Sequence, residues 1–262
     1  MNIFNKAVSI FLNFFNIKVI RLNKFNKILS DRENMKHENN ALKIFLKNDN
    51  VKISEYFAQS KSQLYQDLFV LWYLNFKKDG FFVEFGATNG IDLSNTYLLE
   101  NKFNWKGILA EPSRGWHAQL EKNRTAYIEK KCVWSKSNLS LNFNESEDQE
   151  LSTVSEFLLN DMHAKLRLKS KKYIVETISL EDLLDTYNAP KLIDYLSIDT
   201  EGGEYEILKD FNFKKYKFKI ITCEHNFTDK RNLIYKLLTN NGYERVFSEF
   251  TDFDDWYIYK GN

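Results

Sequence analysis

The sequence predicts an α/β fold: a mostly parallel sheet with helices on both faces, preceded by an N-terminal helical extension. Three observations lead there. Apolar runs bounded by turn residues alternate with helical patterns over about 180 residues, the mark of strand–helix–strand units. The runs themselves, such as FFVEF and GILA, are short and apolar, as buried strands are. The chain has 262 residues, 43% of them hydrophobic, enough to bury a full core in one domain with an extension.

In order along the chain, residues 1–57 are expected as the extension and linker, and 58–262 as the main domain. The first thirty residues carry Lys6, Lys18, Arg21, Lys24 and Lys27 with no acid before Asp31. Asn13 and Asn16 break the apolar stretch a secretory leader needs, and no small-residue cleavage site follows. No run reaches the ~18 apolar residues of a spanning helix. Two readings stand: a basic amphipathic helix lying on an anionic membrane face, or a helix packed on the main domain or on a second subunit of a homodimer. Residues 30 to 60, including DRENMKHENN, read as a loose connector with one short helix at ALKIFLK.

From SQLYQDLFVLWYLNF onward, Leu64, Leu68, Leu71 and Trp72 recur at helical spacing. FFVEFG is a strand, SNTYLLENKF a helix that Ser94 can cap, and KGILAEP a strand stopped by Pro112. RGWHAQLEKN reads as a helix and AYIEKKCVW as the third strand. Residues 136–172 interrupt the alternation. LSLNF fits a strand, whereas NESEDQE and LRLKSKK read as solvated loop and surface helix, together a variable insertion on the substrate side. Then come ISLEDLLDTY, a helix capped by Ser179, strand LIDYLSID, helix GGEYEILKDF, strand FKIITCEH and helix KRNLIYKLLTN, ending at Gly242. YERVF and WYIYK close the sheet.

Net charge is +1, so no global pull toward nucleic acid is expected. Cys132 and Cys223 lie far apart in apolar runs and read as reduced core thiols of a cytoplasmic protein.

In an open α/β sheet, ligands bind beyond the carboxyl ends of the strands where strand order reverses. FFVEFGATNG therefore offers Gly86, Ala87 and Gly90 as a ligand loop, since glycine lets a backbone approach closely and accepts positive φ. Glu111, ending the next strand before Pro112, stands where an acid bonds a ribose hydroxyl. A nicotinamide cofactor would need Gly-x-Gly-x-x-Gly, and position 88 is Thr. S-adenosylmethionine instead carries an ammonium and a sulfonium, which suit a carboxylate such as Glu84. The competing reading pairs Glu84 with an internal lysine.

SQLYQD, FFVEFGATNGIDLSNTYLLE, WKGILAEPS and YLSIDTEGGEYEIL resemble, in order and spacing, the FkbM family of S-adenosylmethionine-dependent methyltransferases over roughly residues 60 to 260. The resemblance implies a class I methyltransferase (Rossmann-like) fold, with a seven-stranded sheet whose last strand is antiparallel. It also implies O-methylation, often of sugars in polysaccharide or natural-product biosynthesis. Carried onto matching positions, the cofactor site comprises Glu84, Gly86, Asn95, Glu111 and Ser135, with Asn95 on the methionine part and Ser135 near the adenine.

A sugar hydroxyl attacks poorly while it keeps its proton, so a base or a metal must deal with that proton. IDTEGGE supplies Asp199 and Glu201 at one strand end, and CEHN supplies Glu224, His225 and Asn226 at the next. His225 is the expected base because histidine titrates nearest neutral pH, with a merely hydrogen-bonded strand-end histidine as the alternative. Glu204 and Glu206 read as a solvated helix face. Asp199, Glu224 and Asn226 would imitate the Mg²⁺ site of catechol-type methyltransferases, and oxygen ligands suit Mg²⁺ or Mn²⁺. The expected acceptor is a small molecule or glycan, including nucleotide-sugars. Nucleic acid is disfavoured, since the Pro-Pro-aromatic motif that holds a flipped base is missing. A silent scaffold of the same fold, or a nicotinamide-dependent sugar oxidoreductase, are the alternatives.

Overall fold

A computed structural model describes residues 22–46, 51–146, 152–154 and 170–261. In chain order these form helix α1 (Leu22–Leu46), a 3-10 helix (Val51–Gln59), α2 (Gln66–Tyr73), β1 (Phe81–Phe85), α3 (Tyr97–Phe103) and β2 (Lys106–Ala110). Next come α4 (His117–Asn123), β3 (Tyr127–Glu129), β4 (Cys132–Trp134), β5 (Ser140–Ser146), β6 (Thr153–Val154) and β7 (Ser170–Ser179). The chain ends with α5 (Leu180–Thr186), β8 (Leu192–Ile198), α6 (Glu204–Lys209), β9 (Lys217–Glu224), α7 (Lys230–Asn240), β10 (Tyr243–Val246) and β11 (Asp254–Tyr259).

Seven strands make one sheet in the order β10-β11-β9-β8-β1-β2-β3. β11 pairs antiparallel with both neighbours, and the other adjacent pairs are parallel. Alternation along β1 explains the two-sided core. Val83 and Phe85 point to one face, against Leu183 of α5, Leu208 of α6 and Ile234 of α7. Phe82 points to the other, against Phe45 of α1, Leu68 of α2, Leu99 of α3 and Leu120 of α4. Trp256 belongs to that second core, stacked on Phe69 at 4.6 Å between ring centroids.

The structure changes three expectations. The run AYIEKKCVW is two strands: β3 closes the main sheet, and β4 opens a second, four-stranded sheet in the order β4-β7-β5-β6. Glu129 turns the chain between them, its carboxylate accepting from the Lys131 amide at 2.9 Å. Part of the expected surface helix is instead strand β7, whose first half is solvent-facing and charged while Val175, Thr177 and Ile178 are buried. The connector expected over residues 30 to 60 is largely the single helix α1. Ala41, Ile44 and Phe45 bury into the core, and Lys36 pairs with Asp252 at 2.6 Å. The 3-10 helix that follows carries a fully buried Ile53, so the packed body begins before residue 58.

Ser179 caps α5 as expected, its hydroxyl accepting from the Asp182 amide at 3.1 Å. The basic stretch as far as Arg21 and most of LRLKSKK lie outside the described residues. Among the described residues no helix is long and apolar enough to cross a membrane.

Candidate active site

β1 and β8 lie side by side, with Phe85 opposite Ile198. From β1 the chain proceeds outward through β2 and β3; from β8 it proceeds the other way through β9. At this reversal the loops diverge and leave a cavity of about 450 Å³. Glu84, Gly86, Asn95, Glu111, Pro112, Asp199, Glu201, Glu224 and Asn226 all line it. Four expected site residues do not: Ala87 and Gly90 support the loop from behind, Ser135 lies just past the lining residues Cys132, Val133 and Trp134, and His225 is turned away.

Gly86 has φ +74°, and a Cβ there would run into the carbonyl oxygen of Asp199. Only glycine lets the cofactor loop pass so close to the acid-bearing loop. Asn95 donates from Nδ2 to the Ser197 hydroxyl at 2.9 Å, while its Oδ1 is buried without a partner. An orphaned acceptor lining a cavity fits the ammonium of S-adenosylmethionine.

Glu84 is held more completely than the cationic-ligand argument requires. Its carboxylate accepts from the Asn95 amide at 2.6 Å, from the Thr96 hydroxyl at 2.5 Å and from the Ser94 hydroxyl at 3.0 Å. Arg124 Nη1 stands 3.7 Å away, and this guanidinium is itself buried, bonding Glu100, Gly90, Ser94 and Thr96. The internal partner is thus an arginine from the end of α4 rather than a lysine. The charge of Glu84 has its reason within the protein.

Glu111 differs. It accepts from the amides of Thr88 at 2.9 Å and Ser113 at 2.7 Å, and burial pushes its carboxyl up to about 7. Its remaining lone pairs are what two ribose hydroxyls would use.

Across the cavity, ligand oxygens of Asp199, Glu201 and Glu224 all lie within 4.8 Å of one another. Burial first, then the charges of Asp199, Glu201 and Glu204, push the Glu224 carboxyl well above the usual range. Three crowded carboxylates suit either a retained proton or a hard divalent cation. Glu201 joins Asp199 and Glu224 in this cluster, and the Asn226 side-chain amide donates to Glu201 Oε2 at 3.4 Å. Glu204, expected as a solvated face, is only 3% exposed and accepts from Thr200 N, Thr200 Oγ1 and Gly202 N at 2.9, 2.9 and 3.0 Å. It braces the acid loop. Thr153 of the insertion donates to the Glu201 carbonyl at 2.9 Å, fixing the second sheet to the same loop.

His225 does not have the base role expected of it. Its Nδ1 accepts from the Phe227 amide at 3.0 Å, and its Nε2 faces Asp255 at 3.8 Å. Burial pulls it down to about 4, so it stays neutral beneath the floor of the site. Sequence reasoning missed Arg124, Glu204 and the lining residues Ser30, Glu33, Asn34 and His37 of α1. An arginine signal was present, since a buried Glu84 demands a cation somewhere; nothing local pointed to α1.

Residues 84–256 match the family described as the methyltransferase FkbM domain. Among solved structures, the chain is similar to a precorrin-6y C5,15-methyltransferase from Geobacter metallireducens GS-15, at 14% identity over 73% of this chain and 85% of that one, TM-score 0.38. It is also similar to a chain of a fibrillarin/Nop5p complex, at 11% identity over 70% and 73%, TM-score 0.35. No curated protein matches the chain. The assignment therefore rests on the family match, which spans the cofactor loop, Glu111 and both acid-bearing strand ends: the chain belongs to the FkbM methyltransferase-domain family and is a methyltransferase, with S-adenosylmethionine the donor that membership implies.

Proposed function

We propose that the protein methylates a hydroxyl of a carbohydrate, with Asp199, Glu201 and Glu224 managing the acceptor proton and holding Mg²⁺ or Mn²⁺. The observation that carries this is the meeting of those three carboxylates within 4.8 Å in the cavity that the glycine loop also lines. When bound, S-adenosylmethionine supplies a methyl on a sulfonium, and a divalent cation acidifies a coordinated hydroxyl.

The chain's own contributions follow from position. Asn95 Oδ1 and Glu111 grip opposite ends of the donor, one at its ammonium and one at its ribose. Gly86 brings the two halves of the site together. The acid cluster faces the acceptor and can take its proton, because a carboxyl raised by burial and like charge is a stronger base than an exposed one. Orientation supplies the rest: aligned reactants gain ~7–11 kcal/mol. His225 has no part in this chemistry.

The test is mass spectrometry of glycosides and nucleotide-sugars incubated with enzyme and S-adenosylmethionine, with and without chelator. One added methyl on oxygen is expected, and its loss with chelator. Methyl transfer that survives chelation would remove the cation while leaving the three acids as base. Asn95→Ala is expected to weaken donor binding roughly ten- to a hundredfold by calorimetry, since a hydrogen bond to a charged group is worth ~1.5–3 kcal/mol.

A further inference from the structure

α1 lies outside the family-matched residues 84–256, yet it walls the cavity. Ser30, Glu33, Asn34 and His37 stand at i, i+3, i+4 and i+7, one stripe of the helix, and all four line the cavity that the acid cluster also lines. The helix is seated firmly there. Lys36 pairs with Asp252 at 2.6 Å, Asn40 bonds the Phe250 carbonyl at 3.4 Å, and Ile44 and Phe45 are buried. Glu33 and Asn34 are exposed on this wall.

His37 supplies an independent sign of a ligand. It is only 7% exposed, lines the cavity, and its Nδ1 has no hydrogen-bond partner. Its Nε2 is engaged at 3.4 Å by Asp252. An unpartnered ring nitrogen on a residue that lines the cavity is an acceptor that a sugar hydroxyl could satisfy.

The charge of the lining narrows the class. Among the described residues, the cavity is lined by Glu33, Glu84, Asp92, Glu111, Asp199, Glu201, Glu224 and Asp252 and by no lysine or arginine. A diphosphate seated on the α1 wall, away from the acid cluster and any cation held there, would meet Glu33 and no lysine or arginine among the described lining residues. An uncharged polyol or an amine would meet acceptors and donors that suit it.

We propose that the polar stripe of α1 is the outer half of the acceptor site, and that it takes a neutral or aminated sugar in preference to a nucleotide-activated one. This rests on the carbohydrate reading above. Because the stripe meets the non-reacting part of the acceptor, it acts on binding more than on the chemical step.

The experiment uses the full chain with methyl glycosides, amino-sugar glycosides and nucleoside-diphosphate sugars. Acceptor binding is read by saturation-transfer NMR in the presence of S-adenosylhomocysteine, methyl transfer by mass spectrometry, and donor affinity by calorimetry. Glu33→Gln and Asn34→Ala sit at exposed positions and keep the fold. Each is expected to raise acceptor KM about tenfold while kcat and donor affinity stay within about twofold. Unchanged KM in both variants overturns the role of α1 and leaves the methyltransferase reading intact. Preference for nucleoside-diphosphate sugars overturns the acceptor class. Donor binding with no sugar bound or methylated overturns this proposal together with the carbohydrate reading.

Discussion

Glu84 and Glu111 come from adjacent strands, and their carboxylates are stabilised in contrasting ways. Glu84 shares Arg124 with Glu100 and gathers three further donors. Removing one member of a buried pair strands the other, at a cost of about 3–5 kcal/mol. Arg124→Met is therefore expected to destabilise the protein by that amount in urea melts, and an unchanged midpoint would contradict the buried pair. Glu111 has amide partners and no cation, and keeps its proton up to about pH 7, where an ordinary glutamate releases it near 4.5. Its contribution to folding is full below 4.5 and lost as pH rises through 7. With Glu111 in its proposed ribose role, donor binding runs the opposite way, because ribose hydroxyls need the ionised carboxylate. Calorimetry should find affinity for S-adenosylmethionine rising from pH 6 to 8, and Glu111→Gln should flatten that rise.

At the scale of elements, the strand ends do the positioning. Glu201 at φ 56°, Asn226 at φ 42° and Phe227 at φ 56° hold left-handed conformations in the two acid-bearing turns. Such residues cost ~1–3 kcal/mol each, and around Glu201 the Glu204 brace and the Thr153 bond hold the turn in place. Gly86→Ala should lose donor binding and lower the melting temperature, since β1 and β8 would have to part to admit the methyl group; an undisturbed variant would mean the loops are not so closely seated. Much of this was legible in the sequence. Apolar runs ending in or carrying acids marked β1, β2, β8 and β9, and the strand ends offered Asp199 and Glu201 with His225 as catalytic groups and Asp199, Glu224 and Asn226 as metal ligands. What the sequence hid was direction and partnership. Nothing in CEHN says that His225 faces inward to Asp255, because alternate residues of a strand end face opposite sides and the register comes from β11. The strand β7 was hidden by charges on its solvent side, and Glu204 by its helical spacing beside Glu206.

For the molecule as a whole, a net charge of +1 conceals a separation. The carboxylates gather at the carboxyl ends of the strands, while Lys191, Lys214, Lys215, Lys217 and Lys219 line a second pocket where β8 and β9 begin. The core on the Phe82 face also depends on residues far upstream. Phe45 is fully buried between Phe57 and Trp72, and Ile53 is likewise fully buried. A chain starting at residue 58 would expose the surfaces they cover. Size-exclusion chromatography should find it aggregated or less stable than the full protein, whereas equal stability would mean α1 is only loosely seated.

The stripe on α1 reaches the cavity without adding a strand to the sheet or a side chain to the donor grip. Two halves of one pocket are therefore encoded in separable stretches of the gene. On the acceptor role proposed for that stripe, exchanging Ser30, Glu33 and Asn34 alone would redraw the choice of sugar, while Ala41, Ile44 and Phe45 keep the helix seated.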